Sequence, residues 1–383
     1  MLKPALRRGW RSRDTVQFGV ARAHAVVLGP VDTATGSFLE LLDGTRGLPL
    51  LRQEARALGL PEGQADALVE RLTAAGLLDD PMEGGGRAAT AWRRGAALDR
   101  LRPDLAALSV LCPEPGAAAR LLAARGAMRV QVRGAGRVGA AVAALLSASG
   151  VGQVDVVDGG CVEPWDVTPG GLPAERIGER RDAAARGLVR QAAPGPRPRR
   201  PAAGSVPRAG AAPSGEPGLT LVVIAPRDGL AAYAPDPAEA EPLLASGTPH
   251  LYAGVLEATG VVGPLVLPGI TPCAGCAAMG RTEREPTWPR MLAQWRSGRR
   301  RPTWACDTAL ATVVAGVTAV HALGFLDGRL PASAGGRLEA ALPALTWDTR
   351  RIEPHAECGC GAVDRTDAVY ASVVEAPHAT MSG

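Results

Sequence analysis

A glycine-rich turn between an apolar run and a small-residue helix constrains the fold more than any other feature. Residues 127–132 are typical of a short buried strand, and Gly134, Gly136 and Gly139 follow at once in a Gly-x-Gly-x-x-Gly pattern. A helix rich in small apolar residues is expected over 138–149. Such glycines let backbone amides approach a phosphate at the helix N-terminus, where the helix dipole favours negative charge. The alternative is a tight strand–helix turn that binds nothing.

The next strand ends in an acidic residue. This strand is predicted over 154–158, and Asp158 follows the last glycine by about 20 residues, where a carboxylate can accept hydrogen bonds from ribose hydroxyls. Further buried strands are predicted at 219–224, 249–256 and 261–267. The order of strand, loop, helix and strand predicts an α/β fold, Rossmann-like in type, that is suited to a nucleotide.

The first 80 residues predict a separate small unit of strands followed by helices. Two short strands joined by a turn are expected within 14–28, and Asp32 is placed to cap the first helix. The other predicted elements are helices near 33–42, 47–58 and 62–75 and a short packed strand at 77–78.

The chain therefore divides into four predicted parts. A Gly-rich linker at 81–89 follows the first part, and helices broken at three prolines connect it to the α/β domain. Within the α/β domain, the proline- and arginine-rich stretch 190–218 predicts a degenerate strand and a flexible insertion. The parts are an N-terminal winged-helix-like domain at 1–80, a linker and helical connection at 81–126 with breaks at Pro103, Pro113 and Pro115, the α/β domain at 127–365, and a tail at 366–383.

Composition limits the classes of function. The 383 residues carry a formal charge of only +4, which does not indicate a general nucleic-acid binder. Lys3 is the single lysine, so no lysine serves catalysis in the body of the chain. The apolar run 305–326 contains Asp307 and His321 and is predicted as a buried helix rather than a membrane span. With no secretory signal in the sequence, we expect a cytoplasmic protein without a membrane partner.

Four of the seven cysteines predict a structural zinc site. They form two close pairs, Cys-Ala-Gly-Cys and Cys-Gly-Cys, and four thiolates suit tetrahedral zinc. Such a closed site would tie the late part of the chain to the α/β domain. The alternative is two unrelated thiol pairs. The predicted ligands are Cys273, Cys276, Cys358 and Cys360, with His355 in reserve.

Two further features leave alternatives open. The other cysteines, Cys112, Cys161 and Cys306, are expected to be small packed residues, although a reactive thiol at Cys306 is an alternative. The segment 281–304 contains three tryptophans and an arginine run at 299–301. It either holds an acidic or extended peptide, or is a solvated arginine run between packed tryptophans.

Together these motifs resemble the ThiF/MoeB/ubiquitin-activating superfamily over about residues 127–362. The resemblance implies ATP and Mg²⁺ binding and adenylation of a C-terminal carboxylate. It implies nucleotide binding by the three loop glycines and Asp158, phosphate chemistry at Arg181, and a metal-binding role for Asp228. The matching motifs stand in family order: the glycine loop, Val157-Asp158, Ile177-Gly178-Glu179-Arg180-Arg181, the strand 219–224, the run 254–269, and Thr271-Pro272-Cys273-Ala-Gly-Cys276.

The sequence departs from active members of that superfamily at the residues of ATP chemistry. Active members carry an Asn-Leu-x-Arg-Gln segment where this chain has 165–171, which contains no arginine. Arg181 stands where the family has a lysine, which keeps the charge but changes its geometry. Asp228 lies in an altered Ala-Pro-Arg-Asp setting. Because phosphoryl chemistry depends on such charges, these changes predict a degenerate ATP site.

The N-terminal unit resembles the PqqD-like leader-peptide recognition domain over about residues 14–80. The resemblance is carried by Phe-Leu-Glu-Leu-Leu-Asp-Gly-Thr-Arg at 38–46 and Leu-x-x-x-Gly-Leu-Leu at 72–78. It implies that an extended leader peptide adds a strand to the small sheet beside the third helix. A DNA-binding winged helix is the alternative, but the third helix is mostly acidic, with a single arginine at Arg71.

Both units in this order resemble the ThiF-like partner proteins of azole- and thiopeptide-type (TOMM) peptide-modifying clusters. The resemblance implies a protein that captures a precursor's leader and presents its core to a separate YcaO-type cyclodehydratase. A homodimer is the common assembly among relatives, and nucleic acid is not an expected partner. The alternative function is an active adenylyltransferase that acts on a peptide or carrier-protein carboxylate.

Overall fold

A computed structural model describes residues 1–80, 96–195, 218–297 and 303–362. These residues belong to two compact units, Met1–Gly126 and Ala127–Gly383. Four predicted segments lie wholly or largely outside the described residues: the Gly-rich linker at 81–89, the insertion within 190–218, the arginine run at 299–301 and the tail at 366–383.

The first unit contains a three-stranded antiparallel sheet with the order β1-β2-β3. Its strands are β1 (Arg8–Trp10), β2 (Val16–Phe18) and β3 (Val26–Leu28). The predicted pair corresponds to β2 and β3. The sequence did not predict β1, because Arg-Gly-Trp shows no apolar alternation to mark it.

Three helices follow the small sheet, as predicted. They are α1 (Thr33–Leu41), α2 (Leu48–Ala57) and α3 (Gln64–Ala74). The Asp32 side chain accepts a hydrogen bond from the Thr35 backbone amide at 2.7 Å, which confirms the predicted cap. Phe38 and Leu72 are completely buried between the sheet and these helices.

Two more helices complete the described part of the first unit, α4 (Ala96–Leu111) and α5 (Ala117–Arg125). The predicted break at Pro103 is wrong, because α4 continues through that residue. A proline removes one intrahelical hydrogen bond, but Pro103 lies on the exposed side of α4. On the buried side, Leu101 and Leu108 pack in one cluster with Leu122 of α5. Packing on the inner face therefore maintains the helix.

The second unit contains, in its described residues, a seven-stranded mixed sheet with the order β10-β9-β8-β7-β6-β4-β5. The first four of these strands along the chain are parallel and the last three are antiparallel. The sequence did not predict the last two. The strands are β4 (Arg129–Arg133), β5 (Gln153–Val157), β6 (Leu221–Ile224), β7 (His250–Leu256), β8 (Thr259–Val266), β9 (Gly336–Ala341) and β10 (Asp348–Arg351).

The helices of the second unit cover this sheet, and the predicted α/β class is confirmed. The predicted apolar helix is α12; of the helices in the described residues, it alone has the length and composition to cross a membrane, and 44% of its most apolar window is buried. The helices are α6 (Arg137–Ala148), α7 (Arg181–Ala192), α8 (Gly229–Tyr233), α9 (Pro237–Ala245), α10 (Ala274–Arg284), α11 (Trp288–Arg296) and α12 (Thr308–Leu326).

The strand order creates a crevice at one edge of the sheet. The chain passes from β4 to β5 on one side and then crosses to β6 on the other side of β4. The connections leaving the carboxyl ends of β4 and β6 therefore diverge. In open α/β sheets, ligands bind at this kind of switch point.

Candidate functional site

The glycine loop lies at this crevice, and its glycines are required by close backbone approach. Gly134 has φ +102°, and a Cβ there would lie 2.0 Å from the carbonyl oxygen of Ala225, which follows β6. A Cβ on Gly139 would lie 2.1 Å from the carbonyl oxygen of Gly134. A Cβ on Gly136 would meet the Cγ of Arg227 at 2.8 Å. The first and third glycines are thus needed for the fold whether or not a phosphate binds.

Asp158 is fixed against this loop. Its Oδ2 accepts a hydrogen bond from the Ala135 backbone amide at 2.6 Å, and its Oδ1 accepts one from the Arg181 Nε at 2.8 Å. The side chain is only 8% exposed. The carboxylate predicted to bind a ribose therefore already has a protein donor on each oxygen.

Arg181 begins α7 and ties together the loop that follows β5. Besides Asp158, its guanidinium donates to the carbonyl oxygens of Gly159 and Cys161 at 2.5 and 2.6 Å. It also lies 3.4 Å from the Oδ2 of Asp166, and its side chain is 10% exposed. Since its donors are directed at protein acceptors, Arg181 holds this loop rather than extending into the crevice.

Arg227, which sequence reasoning did not single out, lies over the glycine loop. Its guanidinium forms ion pairs with Glu163 and Asp166 and stacks 4.3 Å from the ring centre of Trp304. Its Cγ is the atom that a Cβ on Gly136 would meet. The Ala-Pro-Arg-Asp sequence after β6 was the available signal, but it was interpreted only as an altered setting for the neighbouring aspartate.

Arg137, the fourth residue of the loop, was also missed. Its Nε donates to the carbonyl oxygen of Trp165 at 2.7 Å, and its Nη1 donates to that of Cys306 at 2.7 Å and to the Thr308 Oγ1 at 3.1 Å. The residue thus connects the loop, the segment after β5 and the start of α12.

A cavity of about 660 Å³ lies beside the loop, and its lining includes Gly136, Arg137, Glu163, Asp166 and Arg227. Apolar walls come from Val138, Val255 and the two tryptophans at 165 and 304. The formal charges around it cancel, because three arginines lie near three carboxylates. They are Arg137, Arg181 and Arg227, and Asp158, Glu163 and Asp166. A triphosphate would therefore meet no excess of positive charge at this site.

Asp228 is not among the residues that line this cavity. It is the exposed N-cap residue of α8, and its Oδ1 accepts a hydrogen bond from the Leu230 backbone amide at 2.9 Å. The structure gives this predicted metal-binding residue a helix-capping contact, and among the described residues no hydrogen bond or ion pair joins it to Asp158 or Arg181.

The two cysteine pairs come together. All four Sγ atoms lie within 4.8 Å of one another, and the closest approaches, Cys273 to Cys358 and Cys276 to Cys360, are 3.5 Å. A tetrahedral ion with Zn–S bonds of about 2.3 Å places its sulfurs about 3.8 Å apart. The four thiols are therefore close enough together to coordinate one tetrahedral metal ion. His355 is outside this set, with its Nε2 3.0 Å from the Glu283 carboxylate.

The pKa values of the thiols are shifted in different directions within the cysteine cluster, and that of Cys306 beside the cavity is raised. A hydrogen bond with Cys273 lowers the pKa of Cys276 to about 4, whereas burial raises the pKa of Cys360 to about 11. Burial also raises the pKa of Cys306, which disfavours a reactive thiolate there. The expectation that Cys161 is packed is wrong, because it lies exposed in the loop after β5.

The tryptophan-rich segment forms a stacked group on α10 and α11. The Trp288 ring is buried and packs edge-on against Trp295, with ring centres 5.5 Å apart. The Arg281 guanidinium stacks 3.4 Å from the centre of the Trp288 ring. The ring of Trp295 remains 55% exposed. The described part of the segment therefore combines a packed tryptophan with an open one.

A glycine loop at the switch point of the parallel strands, with a carboxylate fixed to that loop, defines a Rossmann-like domain. The sequence model described as ThiF family matches residues 119–362, and the chain belongs to that family. No curated protein matches it by sequence.

Solved structures share the fold over most of the chain. E. coli MccB crystallised with AMPCPP and selenomethionine MccA has a TM-score of 0.65 at 14% identity, covering 94% of this chain and 98% of that one. E. coli MccB with ATP gives 0.63 at 14% identity, with the same coverage. Selenomethionine PaaA gives 0.63 at 13% identity, covering 91% and 99%. At these identities the likeness establishes the fold.

Proposed function

We propose that this ThiF-family protein binds the leader of a precursor peptide through its N-terminal unit and presents the peptide to a YcaO-type cyclodehydratase. Its nucleotide site is degenerate in this proposal. MccB, which shares the fold, has been solved with MccA, and this supports a peptide as the partner. The observation that carries the proposal is an open strand edge in the N-terminal sheet.

The hydrogen-bond pattern assigns that edge to β3. The Gly19 amide donates to the Arg7 carbonyl oxygen, and the Arg11 amide donates to the Thr15 carbonyl oxygen, so the backbone groups of odd-numbered residues along β2 point toward β1. Because the direction of the backbone groups alternates along an antiparallel strand, those of Val16 and Phe18 point toward β3. Their register partners are Leu28 and Val26.

The amide and carbonyl of Val27 therefore point away from the sheet. No strand pairs with this edge in the described residues, and the Val27 side chain is 46% exposed. A free backbone donor and acceptor of this kind can accept an added strand.

An open face of α3 lies beside this edge. The Arg71 guanidinium donates to the Gly29 carbonyl oxygen at 3.0 Å, which places this side of α3 next to the end of β3. Residues one turn apart on that side are all exposed, and two of them are alanines. They are Gln64, Ala67, Arg71 and Ala74. Small side chains on this side of α3 would not obstruct an extended chain added to β3.

The degenerate nucleotide site is supported by the charges at the glycine loop. Arg227 lies over Gly136 and pairs with Glu163 and Asp166, and the six charges around the cavity cancel. ATP chemistry needs cations that are available to phosphate, whereas these guanidinium groups already bind protein acceptors.

Peptide display against the full chain tests the capture proposal. We expect selected peptides to bind the wild type and Val27→Thr, which retains the amide, but to lose binding to Val27→Pro, which removes it. The proline replaces an outward-facing amide, so the sheet itself loses no hydrogen bond. Equal binding to both variants would exclude strand addition at β3.

An active adenylyltransferase is the second candidate, favoured by the intact backbone of the glycine loop and by the ATP complex of MccB. Calorimetric titration with ATP and Mg²⁺ separates the two proposals. We expect no binding heat. Clear binding that is lost in Asp158→Ala would make adenylation the leading function instead.

We further propose a zinc ion on the four cysteines and a homodimer formed through α12. Four close thiols in reduced form suit a cytoplasmic protein with structural zinc.

The proposed homodimer rests on α12, where Val320 is 67% exposed within a helix that is apolar along its length. A second copy of the chain could cover that face, and light scattering at several concentrations measures the assembly.

A further inference from the structure

We propose that the open edge of β3, together with the exposed side of α3, selects acidic peptides, with arginines at both ends of the strand edge binding carboxylate side chains. This inference rests on the proposed capture function and adds the chemical class of the captured segment. It begins from Arg22 and Arg71. Arg22 lies exposed just before β3, and Arg71 is fixed at the other end by its bond to Gly29.

Neither arginine has a carboxylate partner within ion-pair distance in the described part of the chain. Three of the nearby acidic groups are bound elsewhere, whereas Glu70, the neighbour of Arg71 on α3, is exposed. Asp66 of α3 accepts two hydrogen bonds from the Arg52 Nε and one from its Nη2, at 2.9 to 3.1 Å. Asp32 caps α1, and Asp14 accepts hydrogen bonds from two neighbouring hydroxyls.

The segment that contains the small sheet has the same sign of charge. Residues 1–30 contain six basic residues and one acidic residue. Lys3 is buried and donates to the Cys112 carbonyl oxygen at 2.6 Å, and Arg8 pairs with Glu40. The remaining four are exposed around the ends of the small sheet: Arg7, Arg11, Arg13 and Arg22.

A bound strand would meet these charges at a spacing that suits it. Side chains of a strand alternate, and residues on one face recur about every 6.6 Å. The three residues of β3 extend about 10 Å, so Arg22 and Arg71 can each meet a different side chain of an added strand. Backbone pairing would supply sequence-independent binding, and the two arginines would supply the preference for acid.

The test measures fluorescence anisotropy of three labelled peptides with the full chain. Each peptide alternates threonine with one other residue, which is glutamate, glutamine or lysine. Two exposed charge pairs predict that the glutamate peptide binds about fivefold more tightly than the glutamine peptide, with the lysine peptide weakest. High salt should reduce the difference.

Variants locate the effect. We expect Arg71→Gln and Arg22→Gln each to reduce the glutamate preference. Arg102→Gln, which removes an exposed arginine paired with Asp99 on α4, should leave it unchanged. Circular dichroism confirms that each variant is folded.

Each outcome has a distinct meaning. Equal binding of the glutamate and glutamine peptides would overturn the acidic preference while leaving strand capture intact. Failure of all three peptides to bind would overturn both proposals. A glutamate preference that persists in Arg71→Gln and Arg22→Gln would place acid recognition elsewhere and reject the β3 edge as its site.

Discussion

At the scale of single residues, two side chains predicted for nucleotide chemistry form hydrogen bonds with other groups of the protein. Asp158 and Arg181 bind each other and fix the glycine loop and the segment after β5. Sequence could indicate that these two residues lie near the loop. It could not show that their hydrogen-bonding groups are already occupied, because that depends on the path of residues 159–166 in space.

Arg181→Lys tests this structural role. Lysine keeps the charge but cannot reproduce a planar fork directed at four acceptors, so we expect a loss of about 2 kcal/mol in the free energy of unfolding. Urea denaturation measures it. Arg180→Lys is the matched control, since the neighbouring side chain is 67% exposed. Equal midpoints for the two variants would contradict the role assigned to Arg181.

At the scale of elements, the strand–loop–helix unit was the most predictable part of the protein. The strands at β4 to β8 and the helices α1 to α3, α6 and α12 were expected from apolar runs and caps. The sequence did not predict β1, β9 and β10. Strand β10 is Asp-Thr-Arg-Arg, exposed throughout, and it exists because β9 offers it an edge to pair with.

Gly139→Ala tests how tightly the loop is packed. An added methyl group would lie 2.1 Å from a backbone oxygen, which cannot move aside cheaply, so we expect a loss of about 3 kcal/mol or more. The control is Gly187→Ala in α7, where the nearest atom outside the local helix backbone, Nη2 of Arg190, would lie 3.9 Å away. There, alanine should stabilise the helix by a few tenths of a kcal/mol or more. Thermal and urea unfolding of both variants compares them, and comparable effects would reject the close-approach argument.

At the scale of the whole molecule, the four cysteines bring together distant parts of the second unit. Cys273 caps α10, whereas Cys358 and Cys360 lie after β10. The short spacings in the sequence predicted the pairs, and the structure brings the two pairs within 4.8 Å.

Cys273→Ser is expected to remove the metal and lower the melting temperature by about 5–10 °C, since three remaining thiols hold zinc poorly. Elemental analysis and calorimetry measure the two effects. Exposed Cys161→Ser is the control and should change neither quantity. A Cys273→Ser protein with unchanged metal content and stability would exclude a structural metal on this cluster.

The sequence by itself determined the local elements, the glycine loop and the cysteine pairs, because each depends on residues close together in the chain. Tertiary structure decided which charged side chains already have protein partners and which edge of the small sheet is unpaired. Arg227 reaches Glu163 and Asp166 only because β6 lies beside β4, and the Val27 amide faces outward only because β1 and β3 occupy opposite sides of β2. Such contacts join residues far apart in the chain, and no local pattern encodes them.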